Sequence, residues 1–308
     1  MTAGVLADTA THLSWNLASD LQQLFEFHFM VNALEAATAT AIVASLAGWF
    51  VVFRRQTFAG HTLAVVSFPG AAGAIWLGLA AAWGYFGFCV AAALVIGLVP
   101  YTADRRGFSE EPAIVGVVQA FALACGFLFV MLYHGFLNGL DALLFGTFLG
   151  VTDRQVLVLA LVAVGAVSVL ALIGRPLLFA SVDPAVAAAQ GVPVRALSIT
   201  FLIVLGVAVA EVSQITGALL VFALLVMPAA AALQITARPG LGLILSGLIG
   251  LVVAWLGIGV SYFSVYPSGF FITSFGFAAY LFAAAGRRMA DNAGRASRRV
   301  APPTSAVT

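Results

Sequence analysis

The 308-residue chain has no lysine, two cysteines and 8% charged residues, and each shortage closes off a class of chemistry. Without lysine there is no phosphate-binding loop of the G-x-x-x-x-G-K-[ST] kind and no amine for Schiff-base catalysis. The chain therefore does not bind and hydrolyse ATP by that route. Cys89 and Cys125 stand apart inside apolar runs. Two isolated thiols make neither a disulfide framework nor a zinc cluster and read as small core residues. No G-x-S-x-G, no H-E-x-x-H and no His/Asp/Ser grouping points to a hydrolase. The net charge of +1 gives nucleic-acid binding no support.

What fills the chain instead is apolar. Hydrophobic residues make up 63% of it and the mean hydropathy is +1.11, which sets the class as an all-α polytopic membrane protein. A hydrocarbon core of roughly 30 Å needs about 20 apolar residues per helical crossing. The sequence supplies such runs at 29–53, 62–82, 85–101, 112–133, 155–173, 196–212, 216–235, 240–262 and 269–286, about nine crossings in all by this length rule. No room remains for a separate soluble domain within 29–286.

Arginine placement gives the direction. Arg54, Arg55, Arg105, Arg106, Arg175, Arg195, Arg238, Arg287, Arg288, Arg295, Arg298 and Arg299 fall on one side of this arrangement, with Arg154 opposite. The positive-inside rule makes the first side the cytoplasm, so the N-terminus is predicted outside and the C-terminus cytoplasmic. Residues 1–28 lack the basic and compact apolar regions of a cleaved signal and read as an extracytoplasmic segment. Residues 287–308 read as a disordered Arg-rich cytoplasmic tail.

Between the fifth and sixth spans lies SVDPAVAAAQGVPV. Asp183 suits an N-cap, Pro184 the first helical position, and Gly191 the left-handed residue that ends a helix. A helix of about two turns does not persist alone in water, so it packs either on the base of its own bundle or on a soluble partner.

Four ordered blocks, GWFVVFRRQTFAGHTLAVVSFPGAA, DALLFGTFLGVT, SVDPAVAAAQGVPV and TGALLVFALLVMPAAAA, resemble the ABC-3 family of zinc and manganese importer permeases, the ZnuB-like proteins. The resemblance implies a homodimeric subunit of the prokaryotic plasma membrane that carries a divalent metal inward, zinc first and then manganese. Under it, separate ATPase subunits hold the ATP and an extracytoplasmic solute-binding protein delivers the metal. It also implies that Asp183, Pro184, Gly191 and Val192 lie on the surface that meets the ATPase. No tightly bound cofactor and no catalytic residue is expected, and lipid is the remaining partner.

Family members commonly read G-D-[AT]-L-[AS]-H after the Arg pair, an acid and an imidazole one helical turn apart on one face. Here His61 stands where the Asp would be and Val65 where the His would be. His61 is the candidate metal-contacting residue, and Glu35 and Ser67 are placed with it on the path. His134, Asp141 and Glu211 are assigned to the outer entrance, with Glu211 and Gln214 flanking the turn between the sixth and seventh spans. The apolar stretch after Asp141 is too short to cross and reads either as a re-entrant entrance or as a docking surface. Two other readings stay open: an ion-coupled secondary transporter working alone, and a permease for a different substrate.

Overall fold

Long runs of Ala, Leu, Val and Gly that must satisfy every backbone group without water do so as helices. The computed structural model describes residues 24–98, 111–133, 140–146, 150–218, 220–264 and 266–300. Among them the regular structure is entirely α-helical. In chain order the helices are α1 (His28–Phe53), α2 (Thr57–Trp76), α3 (Ala81–Leu98), α4 (Glu111–Leu132), α5 (Leu140–Phe145), α6 (Asp153–Val182), α7 (Pro184–Ala189), α8 (Val194–Thr216), α9 (Val221–Ile235), α10 (Pro239–Tyr262) and α11 (Ser268–Val300).

Eight of the described helices are long and apolar enough to cross a membrane. The remaining predicted crossing, the seventh in chain order, corresponds to α9, whose 15 residues rise only about 22 Å. Its first turn is missing because α8 runs on to Thr216 and the chain then breaks at Gly217, where φ is +73°. The predicted start at 216 thus belongs to the preceding helix.

Burial sorts the helices. α1, α2 and α8 bury most of their length, whereas α4, α6 and α11 leave most of theirs uncovered, the pattern of inner helices ringed by lipid-facing ones. α8 packs on α3, α6, α1 and α2, and α9 packs on α1, α10 and α11. Small residues permit the closest crossings: a Cβ at Gly70 would strike the backbone of Gly84, and one at Gly84 the backbone of Gly70. Gly78 ends the turn after α2 with φ +74° and open space around it.

Two predicted boundaries move by more than a turn. α6 was expected to end near residue 173, before Arg175 and Pro176, yet it continues to Val182 with Pro176 inside it. A proline removes one backbone hydrogen bond, and membrane helices tolerate it where neighbouring groups re-satisfy the freed carbonyl. The stretch from Arg287, expected as disordered tail, continues α11 to Val300. Ala and Arg are strong helix formers, and the Arg287 guanidinium donates to Gln234 Oε1 at 3.3 Å. Residues 1–23 and 301–308 lie outside the described residues.

Candidate translocation path and coupling surface

α2 follows α1 after the short turn at Arg54 and Arg55, and Arg55 takes the left-handed conformation there with φ +59°. His61 therefore sits just over a turn into α2. It is partly buried and presents its ring edge-on to Phe222 of α9, with centroids 5.1 Å apart and planes at 77°. Val65, one turn further, is also partly buried. Thr62, next to His61, donates its hydroxyl to Gln119 Oε1 of α4 at 2.9 Å. Ser67 is fully buried and donates to Ala64 O at 2.7 Å, so its proton is held within its own helix. No group of three or more His, Cys, Asp or Glu able to hold a metal occurs among the described residues.

Glu35 is not beside His61. It is exposed on α1, and 18 residues of helix separate it from the end of α1 at Phe53. His61 lies only four residues past the start of α2, so the two differ in level by about 20 Å at 1.5 Å per residue. Glu35 lines a lateral groove of about 540 Å³ between α1 and α6, with Thr38, Ile42, Val156, Ala160 and Ser168.

Glu211 is the largest departure from expectation. The sequence places it beside an outer turn, but α8 continues five residues past it to Thr216 and seals it from solvent. Neither of its carboxylate oxygens has a hydrogen-bond partner. His134 lies outside the described residues, and Asp141 falls on the backbone of α5. That short helix docks onto the α8–α9 break: Ala218 N donates to Leu143 O at 3.1 Å and Tyr85 Oη to the same oxygen at 3.4 Å. Gly146, which ends α5 with φ +78°, packs backbone to backbone against Ile215–Gly217. Among the described residues, α5 and Gly146 thus pack against the end of α8.

A cluster at the far end of α1 escaped the sequence. His28 Nε2 lies 2.8 Å from Asp153 Oδ1, and Asn32 Nδ2 donates to the same oxygen at 2.6 Å and to Val151 O at 3.2 Å. The start of α6 is fixed beside it by a capping box between Thr152 and Gln155. The cluster ties α1 to α6 across more than a hundred residues of chain, a pairing that no local pattern announces.

At the opposite end, α7 forms as its punctuation dictates. Asp183 Oδ1 accepts from Val186 N at 3.0 Å, Pro184 opens the helix, and Gly191 closes it with φ +81° while Val192 N donates to Ala187 O at 3.0 Å. Only Ala187 of α7 is buried, so one face is pinned and the rest is open. Arg54 braces the helices on either side of it. Its guanidinium donates to Ser181 Oγ of α6 at 2.8 Å and to Ser198 Oγ of α8 at 2.9 Å, and it lies 5.3 Å from the Phe201 ring centroid. Its Nε reaches Gln56 Oε1 at 3.0 Å. One side chain thus links the α1–α2 turn to both legs of the α7 hairpin.

A polytopic all-α bundle with a small, capped, exposed helix between two long ones is the class of a transporter's membrane subunit. The chain belongs to the ABC 3 transport family, whose sequence pattern matches residues 26–287, and is accordingly a multi-pass membrane permease. Among its relatives are the manganese transport system membrane protein MntC of Halalkalibacterium halodurans, 29% identical over 252 residues that cover 81% of this chain and 83% of that one. The chelated iron transport system membrane protein YfeC of Yersinia pestis is 30% identical over 249 residues, covering 81% and 82% respectively. Among solved structures, PsaBC from Streptococcus pneumoniae in complex with Fab superposes with a TM-score of 0.76 at 25% identity, over 87% of this chain and 95% of its own.

Proposed function

We propose that this chain is the permease subunit of an importer that carries a divalent first-row metal into the cytoplasm, driven by ATPase subunits that dock on α7. The observation that carries the reading is the α7 hairpin: a helix too short to persist alone, capped at both ends, exposed on most of its surface and braced by Arg54. Such an element is built to be gripped. The names of MntC and YfeC favour manganese and iron as cargo, ahead of the zinc that the sequence motifs alone put first. In this reading the Arg-rich end faces the cytoplasm, two copies of the chain pair around the path, and a solute-binding protein delivers metal at the end that carries His28 and Asp153. Transport asks for release as much as capture, which suits a path of single ligands such as His61 better than a tight metal cage.

The test is reconstitution. The permease in liposomes with its ATPase and binding protein takes up Mn2+ on addition of ATP, with Fe2+ and Zn2+ measured beside it. The permease alone shows no metal uptake under a proton or sodium gradient; robust uptake there would replace this reading with a secondary transporter.

A further inference from the structure

The sequence assigns Glu211 to the outer entrance, whereas the packing of α8 buries it within the bundle. α3 runs antiparallel to both α2 and α8. On one side Gly84 abuts Gly70 and the Cys89 thiol lies 3.6 Å from Leu63 O. On the other, Gly97 meets Ile199 and Leu202 while a Cβ on Gly206 would lie 2.8 Å from Cys89 O. α2 and α8 are therefore parallel, with Gly206 at the level of Leu63. Five residues further along α8, about 7.5 Å, Glu211 stands level with Ser67 and Phe68, the middle of α2.

Above it, about 9 Å on, is the Gly146–Gly217 junction where α5 meets the broken end of α8. His61 is a similar distance below. A carboxylate that is fully buried with neither oxygen partnered is costly to keep in a helix bundle, because a charge taken out of water needs a counter-charge to offset the loss. Natural bundles retain ionisable groups at such depth mainly where an ion passes.

We propose that Glu211 is an oxygen-donor station for the transported cation, midway between the α5 junction and His61. This rests on the proposed metal-import function and deepens it. Gln214, one turn further along α8, is on the same helix face and offers the adjoining amide oxygen. A carboxylate and an amide carbonyl suit Mn2+ better than thiolate-seeking or imidazole-seeking metals. A single carboxylate holds the ion loosely enough to release it, as conduction requires. The station also replaces the acid that His61 displaces from the usual Asp position, at a different level of the path.

The experiment compares the complete wild-type transporter with Glu211→Gln and Glu211→Met in proteoliposomes, following ATP-driven 54Mn2+ uptake, ATP hydrolysis and the melting temperature of the detergent-solubilised permease with and without MnCl2. The expected result is that both variants assemble and melt no lower than wild type, since each removes an unpartnered buried carboxyl group. Mn2+ uptake falls roughly tenfold or more, the scale set by losing a charged partner, and the rise in melting temperature that MnCl2 gives wild type disappears. Wild-type uptake with the Mn2+ shift retained in Glu211→Gln would overturn the station. Failure of both variants to assemble would mark Glu211 as a packing residue and overturn it too. A wild-type transporter that carries no divalent metal would defeat the import function itself, an outcome distinct from the other two.

Discussion

Arg54 and His61 stand on either side of the α1–α2 turn, and the proposed function gives them different duties. Arg54 gathers Ser181, Ser198 and the Phe201 ring, so a push on α7 reaches the α1–α2 turn through one planar, multiply bonded group. Arg54→Ala is expected to leave assembly and ATP hydrolysis near wild type while metal moved per ATP falls about tenfold, a coupling loss of about 1.4 kcal/mol. Arg54→Lys recovers part of it, since an ammonium cannot reproduce the fork. Equal loss of hydrolysis and transport would assign Arg54 a structural role only. For His61, which meets Phe222 of α9 edge-on, replacement by Ala is expected to lower uptake of both Mn2+ and Zn2+ in the assembled transporter; unchanged uptake of both would remove it from the path.

The Arg pair was legible in the sequence as a membrane boundary, but its partners were not, because they lie 127 and 144 residues away. Glu211 was misplaced for a related reason. Its burial depends on where α8 ends, and that end is set by the contact of Gly217 with Gly146, which sequence spacing does not reveal.

Among the elements, α7 was the most readable. Its N-cap, N1 proline and C-terminal glycine are local signals, and all three act as the residue types dictate. The Asp183 cap contributes about 1 kcal/mol to so short a helix, which the proposed function assigns to docking. Asp183→Ala is accordingly expected to leave permease folding intact and to weaken its association with the ATPase about fivefold, read by co-purification or by titration of the ATPase. Unchanged association would separate the cap from docking. α5 and α9 were less readable. Their apolar runs look like one failed and one complete span, while the structure makes them a short docked helix and a shortened one that meet at a break between helices.

At the scale of the whole molecule, composition alone sufficed for the class, since an apolar chain without lysine and with few charges has the physics of a helical membrane protein. The order of the helices, with α1, α2 and α8 inside and α4, α6 and α11 outside, was not legible, because nearly every span is apolar on all faces and carries no stripe to mark its buried side. Packing of small residues decides that order instead. Arg54 with Ser181 and Ser198, and Arg287 with Gln234, lie at one end of the bundle. Under the proposed function, that end is where the ATPase docks and the opposite end is where metal enters.

The most direct measurement of this account is 54Mn2+ accumulation in proteoliposomes holding the permease with its ATPase and binding protein, with ATP supplied at the Arg-rich face. Accumulation is expected to require ATP and all three components and to be absent from liposomes holding the permease alone. Accumulation by the permease alone under an ion gradient, or none of any divalent metal in the complete assembly, would contradict it.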